Sequence, residues 1–178
     1  MSKRRVVVTG MGILSPVGNS IDEAWQAILA GKSGIGPIEH FDASPFTTQF
    51  AGLVKDFDVS EYYPEKDAKK MDLFIQYGIA AGLQALKDSG LEITDDIADR
   101  AGVAIGSGIG GLKGIEDCAE IIDTKGPRRV SPFFVPGNII NMIAGNLGIM
   151  CNLRGPNIAI TTCLLYTSDA ADEAKWVD

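Results

Sequence analysis

The sequence predicts an α/β fold: a mostly parallel mixed sheet with helices on both faces. Three observations lead to it. Short apolar, β-leaning runs at residues 4–9, 101–105 and 157–162 lack polar alternation, as strands buried on both faces do. Stretches of helical periodicity separate them, and strands separated by helices imply parallel neighbours joined by crossovers. The first two runs end in glycine, at Gly10-Met11-Gly12 and at Gly106, and the third leads to Cys163.

The totals narrow the function classes. A chain of 178 residues is long enough for one domain with a real core. Its net charge of −7 and pI near 4.7 exclude a generalised nucleic-acid surface and leave room only for a local basic patch. No apolar run is long enough to span a membrane, and the start Met-Ser-Lys-Arg-Arg-Val lacks a signal-peptide core. Cys118, Cys151 and Cys163 are odd in number and not spaced as metal ligands. We therefore expect reduced thiols in a cytoplasmic protein with no metal and no cofactor.

The elements follow in order. Arg4–Thr9 is the first expected strand. Gly10-Met11-Gly12 suggests a tight turn rather than a phosphate cradle, because Ser15 stands where the dinucleotide fingerprint needs glycine. Ser20-Ile21-Asp22-Glu23 is a capping box, Trp25, Ile28 and Leu29 share one helical face, and Gly31 is placed to end the helix. Glycines and prolines break the pattern over residues 32–63, an aromatic excursion that holds His40, the only histidine. Ile75, Ile79, Leu83 and Leu86 then mark a helix that Ser89-Gly90 stops. After a charged connector over residues 95–100, the 101–105 strand enters Gly106-Ser107-Gly108-Ile109-Gly110-Gly111, which matches G-x-G-x-x-G. Leu112, Ile115, Ala119 and Ile122 lie on one side of the following helix. Another helix is expected with Pro136 at an early position and Ile139, Ile140, Ile143, Ala144 and Leu147 apolar. Arg154-Gly155-Pro156 is a turn signal, and the last strand follows it.

Seven of these stretches, in this order and spacing, resemble the β-ketoacyl-acyl carrier protein synthases: Val6–Gly12, Ser15-Pro16-Val17-Gly18, His40-Phe41-Asp42, Lys70-Met71-Asp72, Ile105–Gly111, Ser131-Pro132-Phe133-Phe134 and Arg154-Gly155-Pro156. The resemblance covers residues 1–162 and implies the amino-terminal half of a thiolase-like fold, usually found in a homodimer. It implies acyl transfer: a cysteine takes the acyl group from acyl carrier protein, and malonyl-carrier protein decarboxylates and attacks the thioester in a Claisen condensation. Ile109 resembles the gate of the acyl pocket, and Phe134 a residue lining that pocket from the partner subunit. Lys66, Lys69, Lys70, Arg128 and Arg129 resemble the basic surface that docks the acidic carrier.

The pattern breaks near the end. After Ile160-Thr161-Thr162 the family has Ala-Cys and then small residues, whereas here Cys163 stands in the alanine's place and Leu164 in the nucleophile's. Cys163 is the one candidate nucleophile, one residue out of register, and such a slip turns a strand side chain to the opposite face. Residues 163–178 resemble nothing in the family and look like foreign read-through. The family's two catalytic histidines fall in its second half, and His40 matches neither. The expectation is a fragment that is itself inactive. Two other readings stay open: a nucleotide-binding domain built on residues 106–111, and a non-catalytic partner resembling chain-length factors, which Leu164 would permit.

Overall fold

The computed structural model describes residues 5–161. They form two compact units. One runs to Tyr62 and includes Ala80–Leu91; the other comprises Tyr63–Ile79 and the chain from Glu92.

The first unit contains α1 (Ile21–Leu29) and an antiparallel pair, β1 (Ile35–Pro37) with β2 (Phe50–Gly52). The capping box forms in modified shape. Ser20 Oγ accepts from the Glu23 amide at 3.3 Å, but Glu23 Oε2 accepts from the amide of Asn19, not of Ser20, at 3.0 Å. Gly31, at φ +63°, turns the chain out of the helix as its position suggests. Within the excursion, His40, Phe41 and Phe46 make successive edge-to-face contacts, and His40 is exposed.

Three expectations fail here. Residues 5–9 form no strand, and Val6 and Val8 are 89% and 81% exposed. A strand exists only where a neighbour takes its backbone groups, and no described strand pairs with this run. Its apolar character records a preference for burial that no described partner satisfies. Gly10 and Gly12 do not make a tight turn. They let the chain run against the backbone of a helix, since a Cβ at either would overlap the carbonyl of Ala85 or Ala81. The amides of Met11 and Ile13 donate to Asp88 Oδ2 and Gln84 Oε1, both at 2.9 Å, so helix side chains replace a strand neighbour. Finally, α1 buries Ala24 and Ala27, while Trp25, Ile28 and Leu29 are exposed. Periodicity marks a face fit for burial but does not supply the surface that buries it.

Helix α3 (Leu73–Ser89) contributes its first turns to the second unit and the rest to the first, and it stops at Gly90 (φ +64°). The second unit also holds α2 (Glu65–Ala68), α4 (Asp95–Ala98), β3 (Val103–Gly106), α5 (Leu112–Lys125), α6 (Met142–Met150) and β4 (Asn157–Ile160). Its core gathers Tyr63, Ala68, Ile75, Ile79, Ala98, Cys118, Ile143, Ala144 and Leu147. The absent side chain of Gly78 leaves room for Ile143 of α6. β3 and β4 pair in parallel, from Val103 beside Asn157 to Gly106 beside Ile160, as the crossover argument requires. The turn before β4 is pinned to α4. Arg154 donates to the Asp99 and Asp95 carboxylates at 2.8 and 3.1 Å and to the Asp95 carbonyl at 3.0 Å.

Four details of this unit differ from expectation. The charged connector at 95–100 contains a helical turn. Pro136 lies in a series of turns, and α6 begins only at Met142, because backbone and side-chain bonds to residues 134 and 137 hold that segment. The stripe Leu112, Ile115, Ala119 and Ile122 of α5 is exposed; the helix buries Cys118 instead. Ile158 and Ile160 of β4 are likewise exposed among the described residues. Among the described residues no helix is long and apolar enough to cross a membrane.

Ser20→Ala should lower stability by about 1 kcal/mol through loss of the cap, read as a lower urea midpoint with an unchanged slope. The uncovered apolar residues should make the chain self-associate as concentration rises; sedimentation velocity showing a monodisperse monomer throughout would contradict this.

Candidate functional site

The glycine loop at 106–111 and the turn series at 131–138 carry Ile109 and Phe134, and two polar residues join these segments. Asp72 is the first. Standing just before α3, it caps that helix: its Oδ1 accepts from the Phe74 amide at 3.4 Å, and its carbonyl from the amides of Ile75 and Gln76. Its other oxygen, Oδ2, accepts from the Gly114 amide in the first turn of α5 at 3.1 Å. Helix α5 has no side-chain cap of its own and no acidic residue in its first turn. Asp72 thus supplies the negative charge that a helix N-terminus favours. Its own amide donates to the Gly137 carbonyl at 2.8 Å.

Asn138 is the second joint. Its carbonyl accepts from the Gly111 amide at 3.0 Å, and its Nδ2 donates to the Phe134 carbonyl at 2.6 Å. Its Oδ1 is buried without a hydrogen-bond partner and occupies the space where a Cβ at Gly111 or Gly114 would stand. The glycines that suggested a phosphate cradle therefore make room for Asn138. The N-terminus of the helix, where a phosphate would sit in that motif, already faces a carboxylate.

Of the sequence-predicted site residues, Ile109 projects from its loop 72% exposed, and Phe134 is half-buried. The fold brings their two segments together through Asp72 and Asn138. Lys66, Lys69 and Lys70, on and just after α2, and Arg128 and Arg129, in the 3-10 turn Pro127–Arg129, are all exposed. Lys70 Nζ binds Asp67 Oδ1 at 2.7 Å and lies 5.5 Å from the centre of the Phe133 ring, so one cation touches both the basic cluster and the turn series. Cys163 lies outside the described residues. Of the other two cysteines, Cys118 is buried in α5, and burial pushes the Cys151 thiol above its ordinary pKa, away from the thiolate. Burial likewise pushes Tyr63, whose hydroxyl has no partner among the described residues, up to about 12.

Sequence reasoning missed the roles of Asp72 and Asn138. A faint signal existed for Asp72, an N-cap residue type directly before a strong helical pattern. Nothing local marked its partner Gly114, 42 positions away.

An open cleft in the first unit, lined by Met11, Asn19, Lys55 and Gln84 among others, contains none of the predicted site residues. Gln84 crosses its floor, donating to the Asn19 carbonyl and to Tyr62 Oη, both at 2.7 Å.

The hydrogen bond from Lys70 holds the Asp67 carboxyl below the usual carboxylate range. A lowered carboxylate contributes stability above its unfolded pKa and loses it as pH falls through the folded value. That window lies below about pH 4, and exposure keeps the contribution small. In Lys70→Met the Asp67 pKa should rise toward the ordinary value in a carboxyl-carbon NMR titration. No change would show that the pair does not persist in solution.

Comparisons with known proteins show the family of the chain and its fold. The family model described as "Beta-ketoacyl synthase, N-terminal domain" matches residues 3–163. The chain is 70% identical over 162 residues to the 3-oxoacyl-[acyl-carrier-protein] synthase 2 of Vibrio harveyi, and 53% identical over 162 residues to that of Coxiella burnetii. In both cases the match covers 91% of this chain and 39% of the relative. Among solved structures, the ishigamide ketosynthase/chain length factor superposes with a TM-score of 0.75 at 29% identity, covering 90% of this chain and 40% of that one. A β-ketoacyl synthase from Burkholderia phymatum STM815 gives 0.72 at 26% identity, covering 88% and 39%. The fold is the amino-terminal half of the thiolase-like α/β architecture, and the chain belongs to the β-ketoacyl synthase family, whose amino-terminal domain it carries.

Proposed function

We propose that this domain belongs to an acyltransferase of fatty acid elongation that condenses acyl-carrier protein with malonyl-carrier protein. The observation that carries the reading is the 70% identity, sustained over 162 residues, to a 3-oxoacyl-[acyl-carrier-protein] synthase 2. In the complete reaction a cysteine thiolate attacks the acyl thioester and releases the carrier thiol. Malonyl-carrier protein then loses carbon dioxide, and its carbanion attacks the enzyme-bound thioester carbonyl. A new carbon–carbon bond forms and the cysteine leaves as thiolate. No cofactor enters these steps.

Within this scheme the domain contributes recognition. Ile109 gates the acyl pocket, Phe134 lines the pocket of the partner subunit in a homodimer, and the five basic residues dock the acidic carrier in the cytoplasm. Lys66 and Lys69 suit that role because, among the described residues, neither is engaged in an ion pair. Asp67 already holds Lys70 in part. The nucleotide-binding reading loses its physical basis, since Asp72 and Asn138 occupy the helix N-terminus on which it rested.

Chemistry by the 178-residue chain alone is not expected. Its one histidine, His40, sits in an exposed loop, and Cys163 is out of the family's register. We assign residues 163–178 to a non-family tail. Resequencing the gene past the Thr162 codon tests that assignment: recovery of Ala-Cys followed by a second half supports it, and confirmation of Cys163-Leu164-Leu165 favours a chain-length-factor-like partner.

Acyl carrier protein should bind the chain with an affinity that falls as salt rises. Lys66→Glu with Lys69→Glu should weaken binding about tenfold, chiefly through the association rate. Binding insensitive to both changes would overturn the docking assignment, and condensation by the purified chain would overturn its inactivity.

A further inference from the structure

Asp72 links the turn series that carries Phe134 to the first turn of α5, just beyond the loop that carries Ile109, and Asn138, within that series, bonds to the end of the loop. Asp72 reaches the glycine-loop side through the Gly114 amide and the turn series through the Gly137 carbonyl. Asn138 reaches the loop side through the Gly111 amide and the turn series through the Phe134 carbonyl. Together these bonds hold the turn series bearing Phe134 beside the start of α5 and the loop that leads into it. The gap between them contains no slack, because the buried Oδ1 of Asn138 lies where side chains at 111 and 114 would stand.

We propose that Asp72 is a specificity-determining positioning residue: by joining the start of α3, the first turn of α5 and the 131–138 turns, it sets how long an acyl chain the pocket accepts. This rests on the reading of Ile109 and Phe134 as pocket residues. In a two-fold dimer each pocket takes Ile109 from one subunit and Phe134 from the other. One Asp72 therefore adjusts a wall of each pocket, and symmetry makes the effect on the two pockets equal. Asp72 touches no substrate. It acts through backbone placement, and its charge matters because a carboxylate at a helix N-terminus holds the amide more tightly than a neutral oxygen does.

The test measures binding of acyl-pantetheine thioesters of six to sixteen carbons to the full chain, for the parent and for Asp72→Asn. Asp72→Asn should shift the ratio of long-chain to short-chain affinity by about tenfold, within the range one methylene commands in an apolar pocket. Asp72→Glu, which keeps the charge, should recover part of that shift. An unchanged ranking in a folded Asp72→Asn protein, verified by circular dichroism, would overturn the positioning role and leave the acyl-pocket reading standing. Absence of saturable acyl binding by the parent would overturn both. Should Asp72→Asn not fold, Asp72→Ser takes its place: it keeps a capping hydroxyl for α3 and is too short to reach the Gly114 amide. The same shift is expected, and an unchanged ranking would refute the proposal.

Discussion

One carboxylate accepts from the first turns of two helices, and the arrangement of the second unit depends on it. Asp72 caps α3 with one oxygen and α5 with the other, while its amide ties down Gly137. Each cap is worth about 1 kcal/mol on its own. The larger consequence is geometric. Two helix starts and a turn series that are far apart in sequence share one residue, so neither helix start can shift without breaking a bond to the carboxylate, nor the turn series without breaking one to the Asp72 amide. Asn138 repeats the device with neutral groups. Its unpartnered buried oxygen is a cost of that packing, of the order of 1–3 kcal/mol for an unsatisfied polar group.

Against this polar joint stands a large amount of uncovered apolar surface. Trp25, Ile28 and Leu29 on α1, the stripe from Leu112 to Ile122 on α5, and Val6 to Val8 are all exposed. Each has the pattern of a buried element. The buried set is instead rich in alanine: Ala24, Ala27 and Ala43 in one unit, Ala68, Ala98 and Ala144 in the other. Small side chains let elements approach closely, and the large apolar ones point away from these contacts. The chain spans 39% of the length of the curated relatives it matches, and much of its apolar periodicity has no partner among the described residues.

Legibility in the sequence followed the range of the interaction. The Ser20 cap, the Gly31 and Gly90 stops and the glycine loop running into α5 are local, and each is visible in residue order; the parallel sense of the sheet, though not which strands pair, follows from the helices between strands. Apolar pattern misled wherever it was taken as evidence of burial: the periodicity of α1 and α5, and the unbroken apolar run over residues 6–9. Pro136 misled for another reason. Its missing amide suits a helix start, but hydrogen bonds from Asp72 and Asn138 to residues 137 and 134 keep the chain in turns up to Met142. The candidate site was legible only through the family resemblance, which marked Ile109, Phe134 and the basic residues. The joint that connects their segments depends on pairs as distant in sequence as Asp72 with Gly114 and with Gly137, and leaves no local pattern.

Amide hydrogen exchange at Gly114 tests the joint most directly. Gly114 lies in the first turn of α5, where no intrahelical acceptor exists for its amide. If Asp72 holds it, exchange in the parent chain should be at least about tenfold slower than in Asp72→Ala, with the α6 amides unchanged between the two. Equal Gly114 exchange rates in the two proteins would contradict the central role given to Asp72.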